Sequence, residues 1–322
     1  MEHVIPARRT PRLRLRQLKE RAIESLITLV GLSGIAAVVL IFVFVGKEAL
    51  ALFSDTTGEV SFSKLFFPQV VRAGKPAVFM WQPVSNVPKV SLVPLLIGSL
   101  KVTLVGVLLA APLGIGAALF SAELAPRRLR EVLKPLIELL AGIPSVVVGF
   151  FALMVLATFT QDTLGLPTRL NALVAGLGIA IAIVPVIFTV SEDALTAVPR
   201  SYREGSLALG ATRWETAWRV VLPAAAPGVL AATLLGFGRA IGETMVVLMA
   251  SGNAAIVSAS VTDSTRTMSA TIAAEMGEVV VGSMHWSLLF FIGALLFALT
   301  LGLNLLASAA VRRLSRRMGG AS

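Results

Sequence analysis

PRSYREGSLALGATRWETAWRVVLP, residues 199–223, is a charged island between two long apolar runs. It holds Arg200, Arg203, Arg213 and Arg219 together with Glu204 and Glu215, too many charges for a segment that crosses a bilayer. Ser201 stands three residues before Glu204, and Thr212 three before Glu215. Each pair reads as a capping box, in which hydroxyl and carboxylate satisfy the free N–H groups of a helix start. Gly210 falls between them, where a left-handed residue ends a helix. Pro223 reads as the stop of the second helix. The stretch therefore predicts two short helices joined by a tight turn at a membrane surface. Trp214 and Trp218, one helical turn apart, suit the interface region or a partner's groove.

The rest of the chain explains why such an island needs a membrane. Of 322 residues, 56% are hydrophobic and 14% charged, and the mean hydropathy is +0.86. Soluble domains carry about 25% charged residues. Several runs exceed the roughly 20 apolar residues that span a bilayer, so the chain reads as all-α and polytopic. There is no cysteine, which removes disulfides and thiolate metal sites.

Six spans are predicted. A basic arm, residues 1–24, precedes a first span at 25–46, too long for the apolar core of a secretory signal. A proline-punctuated extracytoplasmic loop, 47–92, follows. The other five spans lie within 93–310, at about 93–119, 135–158, 171–190, 224–250 and 286–310. Residues 199–223 form the loop between the fourth and fifth, 251–285 a second extracytoplasmic loop, and 311–322 a basic tail. With the N-terminus inside, seven Lys/Arg fall in the arm, four at 127–134, four at 200–219 and four in the tail, 19 of the 28 in the chain. The positive-inside rule thus supports six spans with both ends cytoplasmic and puts the 199–223 island on the cytoplasmic side. That placement accounts for the net charge of +10 without nucleic acid.

The fifth span contains GFGRAIGETMVVLMASGN, with Arg239 about midway and Glu243 four residues on, predicted on the same helical face. A charge at mid-membrane costs about 2.5–3.5 kcal/mol on insertion scales, and such residues mark solute paths by default. The plain alternative is a structural intrahelical ion pair, in the less favourable order for one. Arg239 can donate two parallel hydrogen bonds to an oxyanion. Glu243 can hold Arg239 when no solute is bound, or accept from a protonated phosphate oxygen. Lys101 in the second span reads as snorkelling outward, and Glu138 as standing in the first turn of the third. No G-x-x-x-x-G-K-[ST] occurs, so the chain has no phosphate-binding loop for ATP of its own. His3 and His285 stand apart from any acidic cluster and give no metal site or catalytic dyad.

Two resemblances follow. Glu204, Gly210, Val220, Leu222 and Pro223 match, in spacing, the cytoplasmic EAA loop of ABC-importer permeases, with Gly205 and Ser206 in place of its two alanines. GRAIGET and VVLMASGN at 238–253, IELLAGIPSVVVGFFAL at 137–153, IGSLKVTLVGVLLAAPLGIGAALFSAELAP at 97–126 and RTMSATIAAEM at 266–276 resemble the PstC family of bacterial phosphate ABC-importer permeases. The resemblance implies a type I ABC-importer permease fold in the inner membrane. It implies a heterodimer with a homologous PstA-like permease, two PstB-like ATPase subunits and a periplasmic PstS-like phosphate-binding protein. Glu204, Gly205, Ser206, Gly210, Leu222 and Pro223 would couple to the ATPase, while Arg239 and Glu243 would form the phosphate path or gate. ATP and Mg would sit on the partner ATPase, leaving this chain without cofactor or catalytic residues. Other readings are a permease for sulfate, molybdate or phosphonate, a channel or transporter independent of ATP, and a membrane scaffold or sensor.

Overall fold

The computed structural model describes residues 11–54, 61–69, 77–85 and 87–319. The first ten residues of the basic arm, with His3, Arg8 and Arg9, lie outside the described residues, as do parts of the 47–92 loop and the last three residues of the tail. Helix α1, Pro11–Ser54, is one 44-residue rod, about 66 Å at 1.5 Å per residue. After a short α2, Phe62–Phe66, two-residue strands β1, Trp81–Gln82, and β2, Lys89–Val90, pair antiparallel in a hairpin. Helix α3 runs Val93–Leu119 and closes in a π-helical turn, Phe120–Leu124. Helix α4 covers Arg127–Ala141. Helices α5, Ser145–Phe151, and α6, Ala157–Leu164, are joined by a second π-helical turn at Ala152–Leu156. Helix α7 is Ala172–Thr196.

The helices outrun several predicted spans: α1 continues through residues 47–54, expected in the loop, α7 runs on to Thr196, and the third and fifth spans change most. Pro144, extended at φ −58° and ψ 137°, starts α5 afresh, so the third apolar helix is Ser145–Leu164 and not a rod from Pro135. Residues 135–141 belong to α4, which buries none of its side chains, and Glu138 is exposed there. The fifth predicted span, 224–250, is broken. Its two main pieces are α11, Ala226–Ile241, and α12, Met245–Ala250. Helix α13, Met268–Glu275, and the long α14, Met284–Gly319, complete the chain. Among the described residues five helices are long and apolar enough to cross a membrane, and six if the bent pair Arg213–Ala224 and Ala226–Ile241 is one span.

Contacts at the two ends of the bundle favour a crossing by the bent segment. At the hairpin end, Ala172 and Leu173 at the start of α7 donate to the carbonyls of Asp263 and Val261, and Trp81 bonds Glu275. At the opposite end, the far terminus of α7 meets the 199–223 loop, and Arg203 bonds Glu123 at the end of α3. The chain must therefore travel from the loop end back to the hairpin end between residues 223 and 251. Only α11, the break and α12 lie in that interval, about 33 Å of helix and enough to cross a hydrocarbon core of about 30 Å.

Packing between spans uses small residues, as it must where lipid is as apolar as the helices. A Cβ on Gly106 would lie 2.7 Å from Ile179, and one on Gly114 2.9 Å from Ile187. Gly176 meets Val105 just as closely. These contacts seat α3 against α7 along its length, around a core of Val102, Ala110, Ile179 and Ile183. A second core at the hairpin end joins Leu65, Trp81 and Leu92 to Leu288 and Ile292. A third, at the loop end, gathers Leu119, Phe188, Leu195, Ala217 and Val221.

Candidate functional site

The 199–223 loop forms two helices, α8 at Arg200–Ala208 and α9 at Arg213–Thr216. The turn between them is a Schellman arrangement. Gly210 takes φ +86°, its N–H donates to the Leu207 carbonyl at 3.0 Å, and Ala211 N–H donates to Ser206 at 3.3 Å. The second capping box is complete: Glu215 N–H donates to Thr212 Oγ1 at 3.2 Å, and Thr212 N–H to Glu215 Oε2 at 2.9 Å. The Thr212 backbone N–H, followed by its hydroxyl, holds the Glu215 carboxyl below the usual carboxylate range.

The first box does not form. Pro199, with φ −56° and ψ 142°, already has the geometry of the residue before a helix, so α8 begins at Arg200 and Ser201 lies inside its first turn. Pro223 does not stop the second helix either. A third π-helical turn, Ala217–Val221, carries α9 into α10, Leu222–Ala224, and the chain bends by 73° only at Ala225. A proline is tolerated there because it opens a new helical turn, where its missing N–H is not needed. Glu204 and Gly205 are exposed and Ser206 half-buried, its hydroxyl 2.9 Å from that of Thr216. Leu209 is 90% exposed at the tip of the turn. Trp214 and Trp218 stack with centroids 6.2 Å apart, and both are exposed.

Beneath the loop lie two buried carboxylates. Glu123, in the π-helical turn after α3, accepts from Nε and Nη2 of Arg203, the shortest contact being 2.7 Å. Glu192, 1% exposed near the end of α7, accepts from Arg130 and, at 2.8 Å, from Lys134. Both partners of Glu192 stand on α4, so this pair docks the otherwise unburied helix. Hydrogen bonding to Glu192 raises the Lys134 pKa above the ordinary lysine value. Pattern reading passed over this set. Its signal was two carboxylates at the ends of apolar runs.

Arg239 and Glu243 do not share a face. Helix α11 ends at Ile241, Gly242 follows at φ −87° and ψ −6°, and Glu243 N–H reaches back only three residues, to Ala240. The Glu243 carboxylate turns forward instead, accepting from Thr244 N–H at 3.1 Å and Val246 N–H at 3.4 Å, and so caps α12. Ser269 of α13 donates to the Glu243 carbonyl at 2.9 Å, fixing the break from outside. Arg239 is exposed in the last turn of α11, with no hydrogen bond or ion pair among the described residues. Leu235 and Gly242, one turn to either side, are exposed as well. The arrangement is an unneutralised guanidinium beside a helix break, on a face that a single chain leaves open.

The hairpin end carries a second polar cluster. Glu275 accepts from Trp81 Nε1 at 3.1 Å, from Arg266 at 2.8 Å and lies 2.8 Å from His285 Nε2. These residues line a cleft of about 580 Å³ that opens between the hairpin and α13. His285, which stands apart from any acidic cluster in the sequence, is thus tied into the fold through Glu275. Lys101 donates to the carbonyls of Ser258 and Ser260 at 3.1 and 2.9 Å, bringing its charge to the loop edge, as snorkelling requires.

Comparison with known proteins gives this geometry a family. Residues 110–320 match the family described as binding-protein-dependent transport system inner membrane component. The probable ABC transporter permease protein YqgH of Bacillus subtilis is 37% identical over 289 residues, 88% of each chain. The phosphate transport system permease protein PstC of Mesorhizobium japonicum is 35% identical over 305 residues, 88% of this chain and 89% of that one. A bacterial ABC transporter that imports alginate superposes with a TM-score of 0.60 at 14% identity, covering 92% of this chain and 99% of that one, which is a likeness of fold. With two thirds of its length matching the family and relatives this similar along nearly the whole sequence, the chain belongs to the inner membrane components of binding-protein-dependent transport systems.

Proposed function

We propose that this chain is a permease subunit that carries inorganic phosphate across the bacterial inner membrane in an ATP-driven importer. Arg239 carries the reading. A bare guanidinium within an apolar span costs several kcal/mol unless a partner or solute meets it, and its fork matches the paired oxygens of a tetrahedral oxyanion. Relatives named as phosphate permeases supply the choice among oxyanions. Glu243, engaged as a helix cap, orients the segment beside Arg239 and accepts from a protonated phosphate oxygen when one arrives.

The remaining parts follow from that role. A homologous permease covers the open face around Leu235, Arg239 and Gly242, so that two sets of spans enclose one path. Two ATPase subunits grip the 199–223 loop and its counterpart, with Glu204, Gly205, Ser206, Gly210, Leu222 and Pro223 on the gripped surface. They supply ATP and Mg, and this chain carries no cofactor and performs no covalent chemistry. Both termini lie in the cytoplasm, and a phosphate-binding protein docks outside on the 47–92 and 251–285 loops. Nucleotide-driven closure moves α8 and α9 and biases the spans between outward and inward access.

The test is phosphate uptake in cells that depend on this subunit, carrying Arg239→Gln, with assembly checked by co-purification. Loss of uptake in a normally assembled complex is the expected result. Full uptake would reduce Arg239 to a structural residue. Competition by sulfate, molybdate or phosphonate in the same assay separates the readings for other oxyanions.

A further inference from the structure

Helix α8 is held to the bundle by few polar contacts. Among the described residues its side chains make two sets. Ser206 bonds Thr216 within the loop, and Arg203 alone reaches the spans. No residue of α8 is buried. Arg203 therefore concentrates the attachment. Its Nε donates to both Glu123 oxygens at 3.1 and 3.0 Å, and its Nη2 to Glu123 Oε1 at 2.7 Å and to the Leu195 carbonyl at 2.8 Å. Its Nη1 donates to the Val198 carbonyl at 2.6 Å. Leu195 belongs to the last turn of α7 and Glu123 to the turn that ends α3. One planar group thus binds the coupling helix to the ends of two spans.

Those two spans are also the pair seated most closely on one another, with Gly106 under Ile179, Gly114 under Ile187 and Gly176 under Val105. A displacement at their common end moves them together, because packed helices shift between discrete arrangements and do not deform continuously. The carboxylate end of the link is equally constrained. Glu123 is 8% exposed and held by a π-helical turn, whose closing bond runs from Ala125 N–H to the Phe120 carbonyl at 2.8 Å.

We propose that Arg203 is a positioning residue, the pin through which ATPase-driven motion of α8 passes to the α3–α7 pair. The proposal rests on the coupling-loop reading above. Its chemistry is specific to arginine. A lysine keeps the charge but has a single ammonium, which cannot span a carboxylate and two backbone carbonyls in one plane.

The experiment uses the assembled importer in proteoliposomes with its binding protein, and measures phosphate moved per ATP hydrolysed. Arg203→Lys is expected to assemble and to hydrolyse ATP on binding-protein addition, while phosphate moved per ATP falls roughly tenfold, within the range for residues that carry coupling. Glu123→Gln, which keeps an acceptor oxygen, is expected to lose less. A second arm uses the absence of cysteine from this chain. Glu123→Cys with Arg203→Cys removes the pin, and bridging the two thiols with bifunctional reagents of graded length is expected to restore the ratio at one length. An unchanged ratio in Arg203→Lys overturns the proposal. So does a loss of hydrolysis and uptake in equal proportion, or a bridge that blocks transport at every length. The unsubstituted complex separates the two levels. If it fails to move phosphate, the functional reading falls and the pin with it; if it does and the variants keep its ratio, only the pin falls.

Discussion

At the scale of single residues, the break in the fifth span turns on Glu243, and two roles for its carboxylate can be told apart. As a cap it needs only an acceptor oxygen aimed at the N–H groups of Thr244 and Val246. As a charge beside Arg239 it needs ionisation. Glu243→Gln keeps the acceptor and removes the charge, so thermal stability in detergent should stay near that of the parent. Glu243→Ala removes both and should cost about 1 kcal/mol, the usual worth of a helix cap. A drop in uptake for Glu243→Gln at unchanged stability assigns the charge to transport, and unchanged uptake confines Glu243 to capping. Glu192 makes a second residue-scale prediction. It is 1% exposed and answers both Arg130 and Lys134, whose own side chains are about a third exposed. Solvent screening on that side weakens the pair below a fully buried one. Glu192→Ala should therefore lower stability by roughly 1–3 kcal/mol and loosen α4, read as faster proteolysis after Arg127 and Arg128.

At the scale of elements, the close approach of α3 to α7 predicts which glycines tolerate a side chain. Gly114→Val forces branched carbons against Ile187, and Gly106→Val does the same against Ile179. Each should cost about 1–3 kcal/mol, as overpacking does, and lower the melting temperature of the assembled complex. Gly116→Ala, in the same helix with nothing within 4 Å of its added carbon, should be neutral or slightly stabilising. The same contrast shows what was legible in the sequence. Apolar length announced α1, α3, α7 and α14, because hydrocarbon demands a nearly continuous run of apolar residues. The Thr212–Glu215 box and Gly210 were legible because they are local: a side chain and a backbone angle settle them. The starts and breaks were less so. Ser201 has the right spacing for a cap, but Pro199 sets the start of the helix two residues earlier. Nothing within GRAIGETMVV shows a break at Gly242, since Ser269, 26 residues away in sequence, bonds the carbonyl at that point. The Arg203–Glu123 fork was hidden for the same reason, being a contact between residues 80 apart.

At the scale of the whole molecule, the number of crossings follows from parity. Among the described residues five helices are long and apolar enough to be spans, and an odd number of crossings would leave the two termini on opposite sides of the membrane. Helix α11 alone covers about 24 Å, short of the hydrocarbon core, and the bend at Ala225 would permit a segment that dips in and returns. The hydrogen bonds at the hairpin end argue against a return. Ser251 and Thr265 pair with each other, Thr265 adjoins Arg266, and Arg266 shares Glu275 with Trp81, so the chain after α12 stands with the hairpin and away from the 199–223 loop. Accessibility decides the matter directly, because the chain has no cysteine of its own. Val84, Leu209 and Val280 are 83%, 90% and 75% exposed, and each can be replaced singly by cysteine at little structural cost. In intact spheroplasts a membrane-impermeant maleimide should label Val84→Cys and Val280→Cys and leave Leu209→Cys untouched until the membrane is opened. Labelling of Leu209→Cys together with Val84→Cys would put the loop outside and remove its access to a cytoplasmic ATPase. Protection of Val280→Cys alongside Leu209→Cys would mean that the segment from Ala226 to Ala250 turns back within the bilayer. Arg239 would then line a re-entrant loop, and the chain would cross only five times.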